Sequence, residues 1–404
     1  MNANDQRVRG GSVSSDERPV VALVTDGIYP YFRGGKELRY HEIARRLARR
    51  ADVHVCTMKW RPGLSTWRDG QVNFRAVSEL HDMYSGERRS FREAFFFAFG
   101  CLRLLGFRFD VLEADQFPYF HIFALRLVAW LKRKRLTVTW HEVWGREYWR
   151  EYLGAAGNLA WIFEWLAIRV PDHLIAASPQ TADRLRAVIG PRASISVVPN
   201  GIDLDGIRHS YPDAARVDLV TVGRMLPHKN FDMLLDSVAL LRGAGLPVTC
   251  RIIGDGPQRT ALHEQASELG IEDAVDFRHD VWEQKELYAL MKAARVAVFP
   301  TTREGFGIAV LEAIACGVPV VTTSAPDNLA RHLVARAAAG VVCDPSAEEI
   351  VAAIRGVLET QGSDWPADRP AVHEGWLTEH GWDFAADQVA RVLGIEKEGE
   401  PHVR

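Results

Sequence analysis

The chain has 404 residues, 47% of them apolar and 25% charged, with a net charge of −3. That length allows two or more domains, and that balance is of a soluble globular protein. The charge gives no reason to expect nucleic acid as a partner, and no run approaches the roughly 18 apolar residues of a membrane-spanning helix.

In chain order, residues 1–18 are polar and read as a disordered tail without the apolar centre of a signal peptide. Runs rich in β-branched residues at 20–26, 52–58, 73–77, 110–114, 136–142, 173–178 and 195–200 predict strands. Between them lie helical stretches such as 35–50, where Leu38, Ile43 and Leu47 share a face opposite arginines. Residues 91–110 interleave aromatics with arginines, and 131–136 are a basic cluster. This pattern fits either a buried helix with solvated charges or peripheral contact with an anionic membrane. Eight of the twelve tryptophans stand at or before Trp165. Residues 140–154 group Trp140, Trp144, Tyr148, Trp149 and Tyr152, which either line a ligand site or pack a helix on the core. The five scattered cysteines form no CxxC, so neither a disulfide framework nor a zinc site is expected, and a reducing, cytoplasmic setting fits.

Residues 199–218, rich in Pro, Gly and Asp, mark a boundary. Within it Asp203-Leu204-Asp205 is formally a DxD, but its carboxylates are expected to tie turns and not to hold a metal. A second strand–helix series comes next, with strands at 218–224, 248–254, 274–279, 296–301, 318–323 and 340–344. Two such series predict an α/β chain of two Rossmann-like domains, 19–198 and 199–375, facing across a cleft. Ligands of open parallel sheets bind beyond the carboxyl ends of the strands.

The stretch 300–317 carries the densest signal. A strand ends at Pro300, and a helix opens near Gly307 and stops at Gly317. Gly305 and Gly307 bare the backbone to a ligand, and the helix N-terminus suits a phosphate. Glu312 is the one charge in an apolar run. A ribose diol would satisfy a carboxylate buried there, and Glu304 would accept from sugar hydroxyls. The structural alternative has Glu304 capping the helix and Glu312 paired with an arginine. Arg224 and Lys229, on one loop after a strand, could clamp a pyrophosphate or be surface charges. Gly34 and Gly35 open another helix, and His141 ends a strand. Residues 252–258 form a glycine turn that lacks the third glycine of a dinucleotide fingerprint.

Taken together, "RGGKE", "WHE" at 140–142, "VVPNGID" at 197–203, "VGRMLPHKN" at 222–230, "IIGDGP" at 252–257 and "EGFGIAVLEAIACGVPVV" at 304–321 resemble glycosyltransferase family 4, retaining enzymes of the GT-B fold. Glu304 and Glu312 are the acids of that family's E-x7-E pattern. The resemblance covers most of the chain and is thin over about 60–135. It implies transfer of a hexose from a UDP- or GDP-linked sugar to an acceptor hydroxyl, with retention, without metal or other cofactor. It implies that Arg224 and Lys229 bind the diphosphate, Glu312 the ribose, and Glu304 with Gly305, Phe306, Gly307 and Ile308 the sugar. His141 would lie beside the transferred sugar, Gly34 and Gly35 would complete the phosphate site, and the Val281 backbone would meet the base. The acceptor would be a sugar, a glycolipid or a small aglycone met by the N-terminal domain, and helix 376–394 would return to that domain. A nucleotide-sugar epimerase, a sugar-phosphate synthase or a non-catalytic nucleotide-sugar-binding subunit are the other readings. The family usually has Gly after the lysine and Asp after the histidine; here these are Asn230 and Glu142.

Overall fold

A computed structural model describes residues 18–85, 88–361 and 373–395. The tail expected over 1–18 lies almost wholly outside the described residues, as does the end of the chain after Ile395. Strands β1 (Val20–Val24), β2 (Asp52–Met58), β3 (Thr66–Asp69), β4 (Val72–Ser78), β5 (Tyr84–Ser85), β6 (Arg88–Arg89), β7 (Val111–Asp115), β8 (Leu136–Trp140), β9 (His173–Ala176) and β10 (Ile195–Val197) come first. Eight of them form one sheet in the order β10-β9-β8-β7-β1-β2-β4-β3, parallel but for β3, while β5 and β6 pair by themselves. β3 escapes the sequence reading because its Thr-Trp-Arg-Asp has no apolar alternation; it is an exposed edge.

Strands β11 (Val217–Val222), β12 (Cys250–Ile253), β13 (Val275–Arg278), β14 (Ala294–Phe299), β15 (Arg303–Glu304), β16 (Val320–Thr323), β17 (Asp327–Asn328) and β18 (Gly340–Cys343) make up the second series. Six form a wholly parallel sheet in the order β13-β12-β11-β14-β16-β18, and the two-residue β15 and β17 pair beyond it. Both sheets are α/β, with helices on each face. Alternate residues of β1 show why: Ala22 and Val24 enter one apolar cluster, Val21 and Leu23 another. A strand buried on both sides needs an apolar residue at every position, hence the unbroken Val-Ala-Leu-Val.

In each sheet the order reverses once, between β1 and β7 and between β11 and β14. Crossovers leave in opposite directions there and open a crevice at the carboxyl ends. The last described helix, Trp382–Leu393, packs on the helix Gly35–Leu47. Ala386 and Val389 join Leu23 and Ile43 in one cluster, and Arg46 Nε donates to Asp383 Oδ1 at 2.9 Å.

Candidate functional site

The loops that leave the carboxyl ends of β11 and β14 build the C-terminal crevice. After β11, Gly223 leads to Arg224, then to a short 3-10 turn, Pro227–Lys229. The glycine turn at 254–256 is spent on packing this loop. A Cβ on Gly254 would stand 1.9 Å from the Gly223 carbonyl oxygen, and one on Gly256 2.5 Å from that of Met225. The turn ends on Asn230 at φ 50° and ψ 46°, with its side-chain amide donating to the Pro300 carbonyl at 2.9 Å. Asparagine tolerates the left-handed region better than most residues other than glycine, so it suits a position where the family pattern has Gly.

After β14, the chain runs through β15 to Gly307 at φ 91°. The helix Ile308–Ala315 begins directly after it, with Gly307 as N-cap and no side chain bonded over its first N–H groups. Those donors and the helix's positive end are open to an anion. Glu304 is therefore not the cap; its Oε2 pairs with Lys229 Nζ, both half-buried. Glu312, in the second turn, is buried, and its Oε1 accepts from the Tyr288 hydroxyl at 3.3 Å. No cation pairs with it among the described residues. Burial pushes its carboxyl up to about 8; the Tyr288 bond opposes this and the nearby Asp203 adds to it. The expected alternative of an arginine partner is thus not what the fold provides. Asp203 caps a short helix, its Oδ1 accepting from Gly206 N at 3.0 Å, so the first acid of the DxD ties a turn.

The N-terminal crevice faces this one. Gly34 caps the helix Gly35–Leu47, and a Cβ on Gly35 would stand 3.1 Å from Ile308 Cδ1, so the two glycine-opened helices meet end to end. A carboxylate already sits at the first of them: Glu37 lies against Gly27 and Gly34, where a Cβ would approach its oxygens to 2.9 and 2.3 Å. Burial lifts Glu37 to about 7, its own charge favoured only by Lys36 and a backbone bond. His141 is half-buried, with Nε2 3.5 Å from Oδ1 of the fully buried Asp115. Burial, with Arg39 and Lys36 nearby, pushes its imidazole down to about 3, so it offers a neutral hydrogen-bonding ring at pH 7. Arg224 lies with its guanidinium 5.4 Å from the Phe32 ring centre across the cleft. The Val281 carbonyl accepts from Arg33 Nη1 at 3.4 Å, and the same guanidinium covers Trp282 at 4.1 Å.

Two groups escaped the sequence reading. The first is Lys36, whose Nζ donates to Asp26 Oδ1 and Asp115 Oδ2 at 2.5 Å each. Asp26 comes just after β1 and Asp115 ends β7, so the lysine clamps the switch point. Burial disfavours charge on Asp26, but Arg89 and Lys36 together hold it down to about 2. Two strand-terminal aspartates were visible in the sequence; that one lysine would reach both was not. The second is Arg303, on β15 next to Glu304. Its Nε lies 3.2 Å from Glu142 Oε2, and its guanidinium lies over Tyr148 and Trp144 at 3.3 and 4.7 Å from the ring centres. Trp144 Nε1 donates to the other Glu142 oxygen at 2.6 Å. A glutamate in place of the family's aspartate thus reaches across the cleft to the loop after β14. Removing either partner of this largely buried pair is expected to cost about 2 kcal/mol, and removing both, as Glu142→Gln with Arg303→Met, less than the sum. Urea unfolding of the double-mutant cycle measures it.

The aromatic group at 140–154 mostly packs the core. Glu164 accepts from Trp144 N, Gly145 N and Trp149 Nε1 at 2.8–3.0 Å, and Trp140 and Trp149 are buried.

Two family models match. "Glycosyltransferase Family 4" covers residues 33–205 and "Glycosyl transferases group 1" covers 212–368. Glycogen synthase of Mycobacterium tuberculosis H37Rv is 31% identical over 244 residues, 58% of this chain and 57% of its own length. GDP-mannose-dependent alpha-(1-6)-phosphatidylinositol monomannoside mannosyltransferase of Mycolicibacterium smegmatis is 34% identical over 167 residues, 37% of this chain and 44% of that one. The chain thus matches about half the length of these relatives. Among solved structures, sucrose-phosphate synthase from Thermosynechococcus elongatus has TM-score 0.75 at 19% identity, covering 93% of this chain and 98% of that one. HepE of Anabaena in complex with UDP and glucose has TM-score 0.67 at 19%, covering 93% and 99%. The switch-point loops, the glycine-opened helices and both family matches agree: the chain belongs to glycosyltransferase family 4, with the GT-B fold.

Proposed function

We propose that the protein transfers a hexose from a nucleoside diphosphate sugar to an acceptor hydroxyl, with retention of anomeric configuration and without a metal. The observation that carries this reading is Glu312, a buried acid without a cation, one turn inside an uncapped helix N-terminus at the sheet's switch point. A ribose diol supplies the donors the fold leaves out. Arg224 and Lys229 take the diphosphate together with the helix end. They stabilise the charge that grows on the leaving oxygen as the anomeric C–O bond breaks. Glu304 and the amides of Gly305, Phe306, Gly307 and Ile308 hold sugar hydroxyls, with neutral His141 beside them. Gly34 and Gly35 close on the phosphates, and the Val281 backbone meets the base. The acceptor oxygen bonds to the anomeric carbon from the face the diphosphate leaves, and its proton passes to a leaving phosphate oxygen. Glu304 and Glu312 are engaged with Lys229 and Tyr288 respectively, which speaks against a paired-carboxylate hydrolase. The acceptor is a sugar, a glycolipid or a small aglycone. The names of the mycobacterial mannosyltransferase and the Anabaena complex support a nucleotide-linked hexose donor.

Thermal shift against UDP, GDP and their sugars, then donor hydrolysis without acceptor, tests the reading. Stabilisation by one nucleotide diphosphate and slow release of free sugar are expected; no stabilisation by any would end it. Glu312→Gln separates binding from folding. With Glu312 raised to about 8, its neutral form is favoured in the fold. The stability it allows is full below the unfolded pKa and is lost as pH rises from about 4.5 to 8. Glutamine carries no such penalty. The variant is expected to melt at least as high as the parent at pH 8, by roughly 1–2 kcal/mol, while nucleotide affinity falls about tenfold or more.

A further inference from the structure

Three neighbouring helices of the N-terminal domain each carry two apolar stripes, where a surface helix needs one. In Phe91–Cys101, Ala94, Phe97, Ala98 and Cys101 are buried, yet Phe91, Phe95 and Phe99, one turn apart, are 60%, 64% and 67% exposed. In Phe120–Lys132, Leu125, Val128 and Ala129 face inward while Leu127, Leu131 and Trp130, the last 66% exposed, face outward. In Gly157–Ala167, Leu159, Ile162 and Leu166 repeat the pattern. Ring contacts pack the helices side by side beneath these stripes: buried Phe97 lies 5.5 Å from buried His121, and half-buried Phe120 5.1 Å from Phe163. Scattered apolar residues need no explanation, but a contiguous face of this size does.

The charge on this face says what covers it. Residues 91–135 hold eight lysines and arginines and four acids, in a chain that is net negative. Three of those acids, Glu93, Glu113 and Asp115, are buried, while all eight cations are partly or fully exposed. A second copy of the same face would bring two cationic rims together. Lys132, Arg133, Lys134 and Arg135 follow exposed Trp130 and Leu131 at the end of Phe120–Lys132, with Lys134 also paired to Asp110. An apolar face edged by cations matches a surface that is apolar below and anionic above.

We propose that this face rests on an anionic lipid bilayer, with the phenyl and indole rings among the headgroups and the cations on lipid phosphates. The helix Phe91–Cys101 links that surface to the cleft. Its inner side carries Glu93, buried and within electrostatic reach of Asp26, Arg89 and Lys36.

The test uses the full chain with vesicles of phosphatidylcholine alone and of phosphatidylcholine with phosphatidylglycerol. Flotation with the anionic vesicles only, weakened by salt, is expected, together with a blue shift of tryptophan emission. Lys134→Glu with Arg135→Glu is expected to weaken partition about thirtyfold or more at low salt, and Phe95→Ser with Phe99→Ser about tenfold. Donor hydrolysis should stay at the parental level in both variants, which also shows that they fold. No flotation with anionic vesicles, flotation indifferent to both variants, or self-association abolished by Phe95→Ser with Phe99→Ser in place of flotation would each overturn the proposal. Loss of hydrolysis in the parent with flotation intact would instead count against the transferase reading alone.

Discussion

Lys229→Ala is expected to lower transfer, read as kcat/KM, about a thousandfold, or about 4 kcal/mol of transition-state stabilisation. The reason is the charge that appears on the diphosphate as the sugar leaves, which a lysine in a partly desolvated crevice meets without reorganising. Folding should change little. The Lys229–Glu304 pair is still about one-fifth exposed, and pairs of that kind contribute under about 1 kcal/mol. A control distinguishes catalysis from mere pairing. If Lys229 serves only to neutralise Glu304, Lys229→Met combined with Glu304→Gln restores activity. If Lys229 meets the diphosphate, the double variant stays inactive. Activity of Lys229→Ala within about tenfold of the parent would remove the residue from the diphosphate site.

Lys36→Met should produce the largest loss of stability, about 3–5 kcal/mol at pH 7. The side chain lies between two fully buried carboxylates. Burial works against its charge, but Asp115 and Asp26 more than offset that and hold its pKa above the ordinary lysine range. Without it, Asp26 and Asp115 confront each other. Burial already raises Asp115, and both carboxyls would then favour the proton. A carboxyl raised in the fold keeps its stability below the unfolded pKa and loses it as pH rises. The deficit of Lys36→Met should therefore be widest at neutral pH and narrow toward pH 4. In the parent the sign for Asp26 is opposite: held at about 2, it contributes stability above its unfolded pKa that is lost as pH falls toward 2. Urea midpoints from pH 4 to 7 give the comparison. Lys36→Arg, which keeps the charge, should recover most of the difference if Lys36→Met proves too unstable to measure. A deficit independent of pH would mean that the lysine acts by packing and not by charge.

Lys229 and Lys36 stand on opposite walls of one cleft and put charge to two different uses. Lys229 sits in a pair that solvent reaches, so its partner can be exchanged. Lys36 is 13% exposed, but both of its partners are fully buried, so they cannot be exchanged. The same contrast explains why glutamate at 142 is compatible with the fold. Arg303 takes it up in an aromatic cage, and the loop after β14 is tied to the N-terminal domain directly beside Glu304.

The sequence alone determined the α/β class and the two strand series. Short Val-, Ile- and Ala-rich runs alternating with longer helical patterns read as strands buried on both faces. It also placed the loop after β14 and the helix start at Gly307, where the helix Ile308–Ala315 begins. The linear pattern could not show which side chains meet across separations of 10 to 161 residues. Lys229 with Glu304, Lys36 with Asp26 and Asp115, Arg303 with Glu142, and Glu312 with Tyr288 instead of an arginine were all set by the tertiary structure. It also assigned two outer surfaces: the tryptophans at 140–149 went largely into the core, and the phenylalanines at 91–99 were left half in and half out. The physical reason is the same in each case. Backbone pattern and burial are properties of a short stretch of chain, whereas the partner of a charge or ring depends on which strand ends the sheet order brings together.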